Sequence, residues 1–371
     1  MSTFEENENY EAWNLQDYDF SNTADLIYTD VHWSTYSSII RRRGKKYSTR
    51  LHNLINSMNW VESLAVELGC TGEICCGDFF DRSDLNAEEL TALRDVNWNT
   101  LPKRFIVGNH ESGVTNLEYS STKALENMNV HIISSPETIS VNDYVEFTFI
   151  PYFTPDNIKP IDNYLSKSNK KKVVFAHADL SGLQYGKFQS QSGFSIQEIL
   201  DSCSIFINGH LHNEQVIDNK IILVGNLTGA NFNENAFIHE HLVYCLTVED
   251  DGRLILESYE NPYAFNFYKI RIEHDYDLDQ LDNLKSNAIV SVVCSDKLVE
   301  EINTRLKTNM NIVESRLLLT HTESDSVDLD SFAFKSSDHI KQFIDFVQRT
   351  LEPSPALSDE LARLGGMHIE N

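Results

Sequence analysis

Five short polar segments, each directly after a run of apolar residues, constrain this chain more than any other feature. They are Asp30-Val31-His32, Gly77-Asp78-Phe79-Phe80-Asp81, Gly108-Asn109-His110-Glu111, Ala176-His177 and Gly209-His210-Leu211-His212. The apolar runs ahead of them (Leu26–Thr29, Ile74–Cys76, Phe105–Val107, Val173–Ala176 and Ile205–Ile207) read as buried strands. In an open α/β sheet, loops that follow the C-terminal strand ends converge on one crevice. Asp30, His32, Asp78, Asn109, His177, His210 and His212 are therefore expected at one place. Carboxylate oxygen, amide oxygen and imidazole nitrogen without thiolate suit two divalent ions, Mn2+ above all, with Mg2+, Fe2+ or Zn2+ as rivals. Asp30 and His32 are one residue apart, so an extended strand end would point both the same way; His210 and His212 repeat the device. Glycines before Asp78, Asn109 and His210 allow tight turns where the backbone passes close to the ions. Asp78 is the natural bridging carboxylate.

The rest of the pattern implies an α/β fold, layered, with mixed β-sheets sandwiched by helices. Ser48 to Leu68 carries apolar residues at Leu51, Leu54, Ile55, Met58, Val61 and Leu64, which is helical spacing, and Gly69 stops it. Further helices are expected over Leu85–Val96, Thr122–Met128 and Ser195–Leu200, and strands over Val130–Ile133 and Val145–Ile150. Two hairpins follow, Gln215–Ile217 with Lys220–Val224, and His241–Val248 with Leu254–Ser258. The expected organisation is an acidic arm (1–24), a catalytic domain (25–263), a smaller α+β capping domain (264–320), an acidic linker (321–336) and a C-terminal helical segment (337–371). In the last, Asp338 to Leu351 has Ile340, Phe343, Ile344, Val347 and Leu351 on one face.

In order, the five segments spell DxH, GDxxD, GNH(E/D), H and GHxH, which resembles the signature of the calcineurin-like metallophosphoesterases. The resemblance implies one ion on Asp30, His32, Asp78 and His212, and a second on Asp78, Asn109, His177 and His210. It implies that His110 stabilises the transition state or protonates the leaving oxygen. Asp81 matches the aspartate that orients this histidine in phosphatase relatives. The implied chemistry is two-metal phosphoester hydrolysis.

Within that family, the protein-phosphatase branch would want GDxHG at the first motif and an arginine just before GNH. Here the text is TDVHWS and IVGNHES. Ala176-His177-Ala178-Asp179-Leu180-Ser181-Gly182 is instead similar to the H-x-(D/E)-L-x-G segment of SbcD-type DNA repair nucleases, bacteriophage recombination endonucleases above all. Gly225-Asn226-Leu227-Thr228 resembles a turn of the same proteins. This likeness implies an exo- or endonuclease on DNA, a homodimer, and a coiled-coil SbcC-like ABC-type ATPase held by the C-terminal helix. A stand-alone phosphodiesterase or phosphatase on nucleotides or phosphoproteins is the alternative enzyme. A non-catalytic regulatory subunit of an ATPase is the alternative from another class.

Charge bears on the substrate. Thirty basic against 56 acidic side chains leave a net charge of −26, which opposes non-specific adhesion to nucleic acid. The exception is Arg41, Arg42, Arg43, Lys45 and Lys46, a basic run close after the first motif. On a loop at the metal face it would contact DNA phosphates, and otherwise it is solvated surface. Lys170-Lys171-Lys172 opens a strand at the far end and reads as solvated. His239 and His241 form an HxH that reads as structural. Six cysteines without a CxxC pair read as small hydrophobes in a reducing compartment. No apolar run is long enough for a membrane helix, and the N-terminus lacks a signal-like h-region, so a cytoplasmic protein of a bacterial cell or phage-infected host is expected.

Overall fold

The computed structural model describes residues 23–37, 46–98, 100–112, 117–185 and 188–319. The first part of the chain runs β1 (Thr23–Tyr28), α1 (Thr49–Glu67), β2 (Gly72–Cys75), α2 (Ala87–Ala92), β3 (Lys103–Ile106) and β4 (Val130–Ile133). Next come β5 (Glu137–Ser140), β6 (Val145–Ile150) and β7 (Lys171–Ala176), then four two-residue strands, β8 (Leu180–Ser181), β9 (Gln184–Tyr185), β10 (Phe188–Gln189) and β11 (Phe194–Ser195). After them lie α3 (Ile196–Ser202), β12 (Ile205–Asn208), β13 (Gln215–Ile217), β14 (Ile221–Leu223), β15 (Leu242–Val248) and β16 (Leu254–Glu260). The described chain ends with β17 (Asn266–Ile272), β18 (Ala288–Cys294), α4 (Val299–Thr308) and β19 (Ile312–Leu319).

Two six-stranded sheets form the body, ordered β16-β15-β1-β2-β3-β4 and β13-β14-β12-β7-β6-β5. Strands β1 to β4 are mutually parallel, as are β6, β7, β12 and β14. Side-chain alternation along each strand builds three cores. From β1, Ile27 joins Ile74, Ile106, Phe147, Phe149, Phe175 and Ile207 in an apolar layer between the sheets. Its neighbours Leu26 and Tyr28 face the other way, onto Leu51, Leu54, Met58 and Val61 of α1. On the second sheet Val174, Phe206 and Leu223 point outward onto Ile199 of α3. The result is helix, sheet, sheet, helix, because each strand carries apolar residues on both faces. Two mixed sheets stand where a single open one would have served the same motif order.

Helix α1 forms where the apolar spacing predicts. The Ser48 hydroxyl caps it by accepting from the Leu51 N–H at 3.2 Å, and Gly69 ends it with a φ of +68°. Its buried leucines contribute about 1.5–3 kcal/mol each. Other expected helices are shorter. Thr122–Met128 is a 3-10 turn over Ser121–Leu125, and Leu85–Val96 is helical over Ala87–Ala92 with a 3-10 turn at Leu93–Asp95. The two hairpins pair as expected, and Asp218 and Asn219 both take left-handed backbone (φ +50° and +53°). Such a two-residue turn matches strand twist. The remaining unit is a three-stranded parallel sheet, β17-β18-β19, with its own core of Tyr268, Ile270, Val290, Val292, Ile302 and Leu306.

All six cysteines are buried, and none is in a disulfide. Among the described residues, no helix is long and apolar enough to cross a membrane. The arm up to residue 22, the run from Arg41 to Lys45, the acidic linker and the C-terminal helix lie outside the described residues.

Candidate metal centre

All five motifs leave the C-terminal ends of strands, three from the first sheet (β1, β2, β3) and two from the second (β7, β12). They meet across the gap between the sheets. The first two loops run side by side: Asp30 N–H donates to Gly77 O at 3.0 Å, His32 N–H to Asp78 O at 3.1 Å, and Trp33 N–H to Phe79 O at 2.7 Å. Below them Trp33 stacks on Phe79 and donates its indole N–H to Glu89 O.

The expectation of an extended strand end at Asp30 and His32 is not met. Both residues take left-handed backbone, with φ of +48° and +47°, and so do Asp78 (+49°) and His210 (+71°). Strand β1 ends at Tyr28, and a coiled loop after it, rather than strand alternation, brings the two side chains to one side. Non-glycine residues rarely sit there, and such strain clusters at functional sites. Glycine does its work at neighbouring positions: a side chain at Gly77 would strike the His177 ring, and one at Gly108 the Asp78 carboxylate.

Three overlapping donor groups result: Asp30 with His32 and His212, His32 with Asp78 and His110, and Asp78 with His177 and His210. Asp30 Oδ2 accepts from the Thr29 hydroxyl (2.7 Å) and from His210 N–H (3.0 Å), whereas buried Asp30 Oδ1 has no hydrogen-bond partner. It faces His32 Nε2 at 3.6 Å and His212 Nε2 at 3.7 Å, and those two nitrogens are 3.0 Å apart. In the second group His177 Nδ1 is committed to Cys76 O at 2.8 Å. Its Nε2 then points at Asn109 Oδ1 (2.9 Å) and Asp78 Oδ2 (3.2 Å), and His210 Nδ1 points at the same amide oxygen (2.9 Å). Lone pairs converge here with too few protons between them, the arrangement a cation resolves. The histidine pKa values report the same demand for positive charge. Burial works against charge on His32, but Asp30, Asp81 and Asp78 outweigh it and push it up to about 10. At His177, burial is outweighed by Asp78 and the pKa rises to about 9. His212 goes the other way, down to about 4, through burial.

Two further residues take on meaning. Asp81 reaches His110 through its backbone: His110 Nδ1–H donates to the Asp81 carbonyl at 2.8 Å, while the Asp81 carboxylate faces His32 Nδ1 at 3.3 Å. In this arrangement Asp81 holds His110 by its carbonyl while its carboxylate serves His32. Glu111, buried and given no role by the motif reading, accepts from Phe79 N–H and Gly108 N–H, both at 2.6 Å, and from Phe80 N–H at 3.2 Å. It ties the second loop to the third.

Other basic and histidine features stay outside. Lys46 forms a 2.6 Å ion pair with Asp95. Lys171 Nζ donates to Gly252 O and Lys172 Nζ to Ser168 O, so these lysines brace turns. His239 and His241 are buried, held neutral by burial at about 4 and about 3, and bonded to Asn226 Oδ1 and Asn226 O. Asn226 N–H in turn donates to His212 O at 3.1 Å, so this pair braces the GHxH loop.

Residues 26–214 match the calcineurin-like phosphoesterase family, just over half of the chain. The chain belongs to that family. Its members use divalent metals for phosphoester hydrolysis, and the donor groups above are the candidate ligands here. Among solved structures, a dimetal phosphatase from Danio rerio aligns over 64% of this chain and 96% of its own, at 12% identity and a TM-score of 0.37. The calcineurin-like phosphoesterase YfkN from Bacillus subtilis aligns over 65% and 90%, at 10% identity and a TM-score of 0.36. Comparison with curated proteins gave no match.

Proposed function

We propose that this phosphoesterase is a DNA nuclease of the SbcD type that works with a coiled-coil ATPase. The observation that carries the hydrolytic part is the sharing of Asp78 between donor groups on both sheets, which makes room for two adjacent ions. The nuclease part is supported by the likeness of the Ala176–Gly182 segment and of the turn at Gly225. In this reading one ion lies on Asp30, His32, Asp78 and His212 and the other on Asp78, Asn109, His177 and His210, Mn2+ being the favoured metal. Residues 25–263 form the catalytic unit, 264–320 the cap, and the segment 337–371 grips the partner in a dimeric assembly.

Bound divalent ions supply Lewis acidity toward the phosphoryl oxygens and acidify water. The chain's own residues do the rest. His110 Nδ1–H is held by the Asp81 carbonyl, which leaves Nε2, 4.0 Å from Asp78 Oδ2, free to hold a proton for the leaving oxygen. His110 N–H donates to Asp78 Oδ1 at 2.9 Å, so the bridging carboxylate and the acid move together. Thr29 and the His210 amide fix the orientation of Asp30.

The test is hydrolysis by the purified chain in Mn2+ and then Mg2+. Linear duplex and single-stranded DNA are compared with a chromogenic diester and a monoester. Cleavage of DNA that needs metal and is lost in His110→Ala supports the proposal. Turnover of the small esters with intact DNA overturns it in favour of a stand-alone phosphodiesterase or phosphatase, the reading that the −26 charge and the Lys46–Asp95 pair favour.

A further inference from the structure

Asp179 stands one residue beyond Ala178 on the chain that leaves His177, and its carboxylate meets a metal-facing histidine from behind. Asp179 Oδ1 lies 3.1 Å from His210 Nε2, while His210 Nδ1 faces Asn109 Oδ1 on the opposite side of the ring. That order, carboxylate to imidazole to donor cluster, fixes the tautomer: Nε2 carries the proton to Asp179 and Nδ1 presents its lone pair inward.

The carboxylate is itself fixed. The buried Asn208 amide grips both sides of the adjoining peptide: Oδ1 accepts from Ala178 N–H at 3.1 Å and Nδ2 donates to Ala178 O at 2.9 Å. Asn208 is the last residue of β12, two before His210, so one side chain locks the Asp179 segment to the histidine it faces. Phe194 N–H donates to Asp179 O at 3.0 Å, where β8 and β11 pair, and a Cβ at Gly193 would strike the Asp179 backbone.

Other histidines of the two groups are braced differently. His32 is backed by Asp81 at 3.3 Å without hydrogen-bond alignment. His177 is backed by a neutral carbonyl. Asp179 is thus the aligned carboxylate brace of the Asp78, Asn109, His177 and His210 position among the described residues. We propose that Asp179 is a positioning residue that sets the affinity of this one metal position and leaves its neighbour alone. The proposal rests on the two-ion reading of the site.

The test titrates the metal-free full-length chain with Mn2+ by calorimetry, with electron paramagnetic resonance to separate isolated from exchange-coupled Mn2+. Wild type should take up two equivalents. In Asp179→Ala one equivalent should weaken about 10–100-fold, the usual effect of losing such a partner, and the coupled signal should give way to that of isolated Mn2+. Asp179→Asn keeps an acceptor for His210 Nε2–H without the charge and should fall between. Unchanged affinity for both equivalents in Asp179→Ala overturns the proposal. Equal weakening of both, in the isosteric Asn variant as well, also overturns it, because that marks a general loosening. A wild-type chain that binds fewer than two equivalents defeats the two-ion reading itself.

Discussion

At the residue scale the site is a set of side chains held in conformations that their own backbones disfavour. Each left-handed non-glycine position costs about 1–2 kcal/mol, and four of the seven proposed ligands carry one. That these side chains would meet at one place was legible from motif order and from the strands ahead of each motif. Their conformation was not, since nothing in Asp-Val-His distinguishes an extended end from a coiled loop. Nor was the division of labour at Asp81 legible, because a carbonyl leaves no trace in residue identity. Two predictions belong here. His110→Ala should keep both equivalents of Mn2+ by calorimetry while turnover of the best substrate falls at least ~100-fold, the scale of a lost general acid. Glu111→Gln keeps one oxygen to accept from the Phe79 and Phe80 N–H groups but turns an amide NH2 toward the Gly108 N–H, where the carboxylate accepts from all three. Chemical denaturation should show a loss of about 1–3 kcal/mol, the cost of buried groups left unpaired.

At the scale of elements, long periodic segments were readable and short ones were not. Helix α1 and the strand Val145–Ile150 stand where their spacing puts them. The helix expected over Thr122–Met128 shrank to a 3-10 turn, because so few residues gain little from helical bonds once the chain must turn into β4. Strand β5 was not legible, since Glu-Thr-Ile-Ser has no apolar run; it is an edge strand joined to β6 by the backbone ladder and by a 3.0 Å contact between the Thr138 and Thr148 hydroxyls. The Asp218-Asn219 turn offers a prediction of gain. Asn219→Gly relieves a left-handed side chain, and the thermal midpoint should rise by the equivalent of up to about 1 kcal/mol. Under the sheet, buried Lys103 joins Glu62 (3.1 Å) to Glu73 (3.3 Å), tying α1, β2 and β3. Lys103→Met removes the cation from this buried Glu62–Glu73 pair and should cost about 3–5 kcal/mol in urea denaturation.

Over the whole molecule, that same network carries a pH dependence. Burial, opposed by Lys103 and reinforced by Glu62, pushes Glu73 up to about 8 from its usual 4.5. The folded chain therefore holds a proton that the unfolded chain releases. Its stabilising share is complete below pH 4.5, shrinks as pH rises, and is gone above about 8. Unfolding free energies between pH 5 and 9 should decline accordingly, and Glu73→Gln should flatten the decline. The proposed ligands come from both sheets, with Asp78 on one and His177 on the other, so an ion held between them would bind the two halves of the body to each other. The left-handed ligand positions then have an evolutionary corollary. In a chelator, nothing offsets their strain, and a laboratory population screened only for heat resistance would drift toward glycine or asparagine at residue 32. The same screen in millimolar Mn2+ would hold histidine there. Metal supply, more than folding, would then be the selective pressure that keeps such a site from eroding.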